Sequence, residues 1–225
     1  MRFSQMIKYC LSIPKTIYFN FRCFGFSEVF KTPVIVSYKV KLRGLKRNII
    51  TIDSNHISRF MIKIGFNGTE EIAPRRAMIN IENGKIIFKG ECAISAGCTI
   101  GVSNGGIIEF GNGFSANKNF FISCNKHVTF GEDAMLGWNV TFFDANGHPI
   151  YKDGIKKEPF KSINVGNHVW ICSEAHILKG SEIPDGCIIA YGSLISSKLK
   201  EENSLYGGIP GKFLQDKIDW KRYND

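Results

Sequence analysis

The sequence has no uninterrupted apolar run of about eighteen residues, so a membrane-spanning helix is not expected. It has no C-x-x-C pair, and its cysteines are odd in number: Cys10, Cys23, Cys92, Cys98, Cys124, Cys172 and Cys187. A disulfide framework and a structural zinc site are therefore not expected, and the usage reads as a reducing, cytoplasmic setting. Lys8 and Lys15 interrupt the apolar stretch at the N-terminus, which argues against a cleaved signal. Acidic residues are nearly missing from the first fifty positions, where Glu28 stands alone against Arg2, Lys8, Lys15, Arg22, Lys31, Lys39, Lys41, Arg43, Lys46 and Arg47. The rest of the chain is balanced, so the net charge of +9 belongs to one end. Such an end suits an anionic partner, a phospholipid surface or a phosphorylated lipid carrier, or else it is a solvated basic face. No nucleic-acid-binding motif accompanies the charge, and a nucleic-acid partner is not expected.

What is present describes a folded chain. Hydrophobic residues make up 44% and charged residues 22% of 225 positions, enough for one sizeable core and an appendage. Phe3, Met6, Ile7, Cys10 and Leu11 recur at helical spacing, and Pro14 marks the expected end of that helix. The helix has two readings: a membrane-surface element, or a helix packed on the end of the main domain, the second being preferred. Positions 17–50 read as irregular structure leading into short strands from about Val34.

Internal repetition decides the fold class. Val165, Ile171, Ile177, Ile183, Ile189 and Ile195 follow one another at a spacing of six. Four places after the first five of these stand Val169, Ala175, Ser181, Cys187 and Ser193, with Gly166, Gly180, Gly186 and Gly192 between. The register recurs upstream in Phe88, Ile94 and Ile100, in Phe110, Ala116, Ile122 and Val128, and in Phe130, Leu136 and Phe142. Six residues make one short strand and one tight corner, three such units close a triangular coil, and coils stack at the ~4.8 Å strand spacing. Each repeated apolar residue then points inward, and the corners take Gly, Asn, Asp or small side chains. The expected fold is all-β: a left-handed parallel β-helix over 51–200, with a basic cap segment at 1–50 and a tail at 201–225 that ends in a short helix around 213–222. The register breaks between Phe142 and Val165, a displacement of 23, so 143–164 is expected to be a loop thrown out from one corner, where function concentrates.

With the ladder, the stretch Val165-Gly166-Asn167-His168-Val169-Trp170-Ile171 and Gly208-Ile209-Pro210-Gly211-Lys212 resemble the hexapeptide-repeat acetyltransferases, above all the galactoside and maltose O-acetyltransferases and the bacterial polysaccharide O-acetyltransferases. The loop Asp144-Ala145-Asn146-Gly147-His148-Pro149-Ile150-Tyr151 is similar to their catalytic G-H-P loop, and the resemblance covers about 88–215. It implies a homotrimer with sites between subunits and acetyl-CoA as co-substrate without a metal. The reaction it implies is direct O-acetylation of a sugar hydroxyl in a glycan or its lipid-linked precursor. His148 would be the general base, since imidazole titrates where a hydroxyl needs help, and Asp144 would orient its ring. Asn117, Asn125 and Tyr151 would hold the acceptor sugar. Trp170, Ser173, Tyr191, Ser196, Lys198 and Lys212 would hold the donor. Cys172, the pair Ala190-Tyr191, Ser197 and Asn125 depart from the family pattern, which leaves acyl chain length and acceptor open. The other readings are an N-acetyltransferase for a nucleotide-linked amino sugar and a non-enzymatic β-helix scaffold. A metal enzyme on the same scaffold needs two histidines close together, and His56, His127, His148, His168 and His176 supply no such pair in register. Contact of the basic N-terminus with the inner face of a membrane is the accompanying expectation on location.

Overall fold

The computed structural model describes residues 3–222. Three sheets of stacked parallel strands form its body. One sheet holds β1 (Val34–Val36), β4 (Ile62–Ile64), β7 (Cys92–Ile94), β10 (Phe114–Ala116), β13 (Met135–Leu136), β18 (Trp170–Ile171), β21 (Ile188–Ile189) and β23 (Leu205–Gly207), and ends in antiparallel β24 (Lys212–Gln215). The second runs β2 (Lys41–Arg43), β5 (Met78–Ile81), β8 (Thr99–Val102), β11 (Phe121–Cys124), β14 (Thr141–Phe143), β19 (His176–Leu178) and β22 (Leu194–Ile195). The third runs β3 (Ile50–Ile52), β6 (Gly84–Phe88), β9 (Gly106–Phe110), β12 (His127–Phe130), β17 (Ile163–Val165) and β20 (Glu182–Ile183). The chain visits the sheets in rotation, as a parallel β-helix does, and the helix is of the left-handed kind.

The repeat explains the packing. Val165, Ile171, Ile177, Ile183, Ile189 and Ile195 are all buried, and Ile171 pairs with Ile189 and Ile177 with Ile195 one coil further on. Phe88, Phe110 and Phe130 stack face to face at 5.3 and 5.4 Å. Corners demand special residues: a Cβ on Gly44, at φ +72°, would lie 1.9 Å from the Ile81 carbonyl oxygen. The stacked strands begin at Val34, inside the segment 1–50 read as a cap.

Three features of the ends correct or extend the expectations. First, helix α1 runs Phe3–Cys23, straight through Pro14. Pro14 lies on the exposed side, where the carbonyl left without a donor can take water. A second short helix, α2 (Phe26–Val29), follows where irregular structure was expected.

Second, α1 packs on the end of the main domain, the preferred of its two readings, and it does so with its polar side. Tyr38 N donates to Ser12 Oγ at 3.0 Å, Val36 N to Thr16 Oγ1 at 3.1 Å and Val34 N to Asn20 Oδ1 at 3.3 Å, while Asn20 Nδ2 donates to the Val34 carbonyl at 2.7 Å. Four helical residues rise ~6 Å and two strand residues ~6.7 Å, so Ser12, Thr16 and Asn20 match alternate backbone groups along the free edge of β1. The apolar set Met6, Ile7, Cys10 and Leu11 is exposed instead. The Phe3 side chain and Arg2 lie outside the described residues.

Third, no helix forms over 213–222. Lys212–Gln215 is strand, and the tail beyond it is strapped back over the coil by bonds to distant residues. Among the described residues no helix is long and apolar enough to cross a membrane.

Candidate active site

The loop 143–164 leaves the coil between β14 and β17, at the corner joining the second and third sheets. It carries a small hairpin, β15 (Tyr151–Lys152) against β16 (Ile155–Lys156). Its base is closed by the Ala145–Phe160 bridge and by Lys161 N donating to the Asp144 carbonyl at 3.0 Å. Lys179 Nζ holds the returning limb through the Glu158 carbonyl at 2.8 Å. His148 and Tyr151 are exposed beyond this base, three residues apart. Among the described residues no group bonds the His148 ring, so both nitrogens are free to meet a substrate.

Asp144 does not orient that ring. Its carboxylate is fully buried and accepts from Asn125 N at 2.8 and 2.9 Å, from Lys126 N at 2.7 Å and from Asn125 Nδ2 at 3.4 Å. A carboxylate is acceptor-only, and these donors occupy it. It pins the root of the loop to the neighbouring coil. Asn125 is a corner residue in the same way, because its Oδ1 also accepts from Ser103 Oγ at 3.0 Å and Asn104 Nδ2 at 2.8 Å. Its Oδ1 is thereby occupied within the corner, and its Nδ2 faces Asp144 with one of its two hydrogens.

Asn117 belongs to a feature that the sequence reading missed. Between β4 and β5 a second loop, 65–77, lies over the coil, and three consecutive side chains tie it down. Asn117 Oδ1 accepts from Thr69 N at 3.0 Å and its Nδ2 donates to Thr69 Oγ1 at 2.9 Å. Lys118 Nζ donates to the Ile72 carbonyl at 2.9 Å. Asn119 Oδ1 accepts from Arg75 N at 2.8 Å and Nδ2 donates to the Ala73 carbonyl at 3.1 Å. Beside this loop a cleft of about 490 Å³ is bordered by Lys8, Lys39, Arg75, Arg76 and Glu70. The sequence signal was the run Asn117-Lys118-Asn119, whose partners are some forty-five positions upstream.

The donor-side residues fall into separate places. Ser196 and Lys198 border a cleft of about 520 Å³ with Lys126, Lys161 and Lys179, and Lys198 forms an ion pair with Glu182 at 2.5 Å. Lys198 and Lys212 share a second cleft of about 620 Å³ with Lys200 and Asp216. These clefts gather cations of the kind that suit phosphates. Ser173 is buried, and its hydroxyl accepts from Trp138 N at 3.1 Å, so it serves a corner rather than an open groove. Trp170 is half-buried on the outer face of the first sheet, 6.2 Å from the Trp220 ring, and Tyr191 is exposed at a turn. Neither borders the two cation-lined clefts.

The tail strap passes close to Trp170. Trp220 stacks on His168 at 4.2 Å and donates from Nε1 to the His168 carbonyl at 2.9 Å. His168 Nδ1 faces Asp133 at 2.7 Å, and Nε2 faces the Trp220 carbonyl at 3.0 Å. Burial opposes a charge on the ring, but Asp133, the Trp220 carbonyl and Asp219 outweigh it and raise the His168 pKa above its usual value. Burial also acts against the Asp133 carboxylate, yet His168 and Arg222 hold its pKa below the ordinary range.

No family model matches the chain. The galactoside O-acetyltransferase of Escherichia coli (strain K12) is 32% identical over 116 residues, 51% of this chain and 56% of that relative, so the match spans little more than half of its length. A Schizosaccharomyces pombe (strain 972 / ATCC 24843) protein named "Putative acetyltransferase C18B11.09c" is 30% identical over 149 residues, 64% of this chain and 69% of that protein. The chain belongs to the hexapeptide-repeat acetyltransferases. As a hexapeptide-repeat acetyltransferase it shares its fold with the polySia specific acetyltransferase NeuO, whose solved structure superposes with a TM-score of 0.52 at 18% identity over 85% of this chain and 80% of that one. The two corner loops are where this acetyltransferase carries its exposed imidazole and a cleft bordered by Lys8, Lys39, Arg75 and Arg76.

Proposed function

We propose that the chain transfers an acetyl group from acetyl-CoA to a sugar hydroxyl, with His148 as general base, in an assembly of three chains whose sites lie between neighbours. The observation that carries this reading is His148 itself: an imidazole with no partner of its own, held out on a loop whose root is fixed by a buried carboxylate. A base must reach the proton it takes, and a ring already engaged in the fold could not. The acceptor hydroxyl oxygen attacks the thioester carbonyl as His148 takes its proton. The C–S bond breaks, the imidazolium proton goes to the departing thiolate, and the products are the sugar ester and free CoA. The cations of the Lys198 clefts suit the donor's phosphates, with Lys212 on the β24 side. The acceptor class is a glycan or its precursor, which the 32% identity to a galactoside O-acetyltransferase supports. Tyr151, on the hairpin beyond His148, is the loop side chain that meets the acceptor.

Thiol release from acetyl-CoA, measured against a panel of glycans, simple galactosides and amino-sugar nucleotides, tests the reading. Release that needs both an acceptor hydroxyl and His148 supports it. Release only with amino sugars converts it to N-acetylation. No release with any acceptor, together with no change in melting temperature on adding CoA, removes the transferase assignment for this chain.

A further inference from the structure

Helix α1 is mounted inside out. Its polar side chains are spent on the β1 edge, and its opposite side is apolar along its whole described length: Met6, Ile7, Leu11, Ile17, Tyr18 and Phe21 are each 44–58% exposed. No charged residue interrupts that side. Lys8, Lys15 and Arg22 recur every seventh position and so form one stripe along its flank. α2 continues the patch, with Phe26 75% and Phe30 70% exposed and their rings 5.5 Å apart. A contiguous apolar face of this kind on a folded chain marks a docking surface.

The occupant is indicated by charge. Lys8, Arg22, Lys31, Lys46 and Arg47 are exposed around the patch. Lys46 and Arg47 are brought beside the C-terminal end of α1 by Asn48 N donating to the Cys23 carbonyl at 3.1 Å. Glu28, the one acid among the first fifty positions, is tied to Gly25 N at 2.9 Å. A second copy of the chain would oppose this basic rim to an identical one. An anionic bilayer meets both needs, taking the apolar side into the acyl boundary and its headgroups against the cations. Tyr18 and the phenylalanines are of the size and character that settle at that boundary. We infer that the outer face of α1, with Phe26 and Phe30 of α2, seats the enzyme on the surface of an anionic phospholipid membrane without crossing it. This goes beyond the reading of the active site and needs no donor or acceptor to be true.

Cosedimentation of the full chain with vesicles tests it, comparing phosphatidylcholine alone with phosphatidylcholine plus phosphatidylserine. The expected result is capture by the anionic vesicles that weakens as salt is raised. The pair Ile17→Glu with Phe21→Glu lowers capture about tenfold or more, and Lys8→Glu with Arg22→Glu lowers it and removes the salt dependence. Both pairs are on the exposed side, so thermal melting is expected to be unchanged. A second apolar pair, Leu11→Glu with Tyr18→Glu, gives an independent reading should the first fail to fold. Equal capture of wild type and the apolar-face variants would overturn the inference. So would no capture of wild type, accompanied in vesicle-free sedimentation by a larger assembly that Ile17→Glu with Phe21→Glu dissolves. That last pattern would assign the face to a second copy.

Discussion

The two loops that leave the coil are built on opposite plans. Loop 65–77 lies flat, and Asn117, Lys118 and Asn119 from one stretch of the next coil but one hold its backbone at Thr69, Ile72, Ala73 and Arg75. Loop 143–164 is fastened at its root by Asp144, the Ala145–Phe160 bridge and Lys179, and from His148 to Ile155 it has only its own hairpin. One corner is a fixed wall. The other is an arm with a rigid shoulder. Chemistry that must meet substrates of different shape is better served by the arm, and a recognition surface by the wall.

The strongest way to separate them is His148→Ala. It should lower acceptor-dependent thiol release by about a hundredfold to ten-thousandfold and leave the melting temperature where it was, since the ring holds nothing in the fold. Asn119→Ala strikes the wall instead. It removes both bonds to the loop, at about 1–3 kcal/mol for the groups left unpaired, and places a Cβ-bearing residue without a side-chain bond at φ 64°. Denaturant unfolding should show the loss, and hydrogen exchange should rise through 69–75. Asn119→Gly divides the effect, because glycine accepts that backbone and loses only the bonds.

Asp144→Ala tests the shoulder. Three donors at the 125–126 corner lose their acceptor, which should cost about 1–3 kcal/mol in melting or denaturant experiments. Activity should fall with kcat reduced more than KM rises, although the carboxylate touches no substrate. An Asp144→Ala enzyme with full activity would mean that the arm does not need its root. The smallest effect expected is in the tail strap. The folded His168 pKa is raised, so its contribution is complete below the unfolded value and is lost as pH rises through the folded one. Asp133 is the reverse: its lowered pKa stabilises above the unfolded value and is lost as pH falls through the folded one. Trp220 fluorescence followed against pH should therefore show the strap loosening on the alkaline side of the His168 titration, and His168→Gln should abolish that step.

Most of the coil was legible because its inward positions demand size and its corners demand small or left-handed residues, and both demands recur every six places. The arm was legible as a break in that register. What was not legible depends on pairings between remote positions. Asp144 read as a partner for the ring four residues on, and its donors are eighteen and nineteen residues back. Asn117 read as an acceptor contact because the loop it ties down has no repeat to announce it. Helix α1 was legible as a helix on the domain end, but the side it turns inward was not, for a physical reason. An apolar stripe is normally the buried one, but the end of a coil presents unpaired backbone groups, which Ser12, Thr16 and Asn20 satisfy better than leucine would. The tail, read as a helix, is drawn straight by partners 52 to 109 residues away.

The way α1 lies on β1 also sets where the first sheet begins. A stack of parallel strands has no internal reason to stop, since each coil offers the next the same row of donors and acceptors, and an open edge of that kind recruits whatever strand arrives. Three side chains on one helix answer the first strand of the first sheet in its own spacing but offer nothing onward, so that sheet closes with them. Chains lacking α1 would leave the backbone groups of β1 open to a strand from elsewhere.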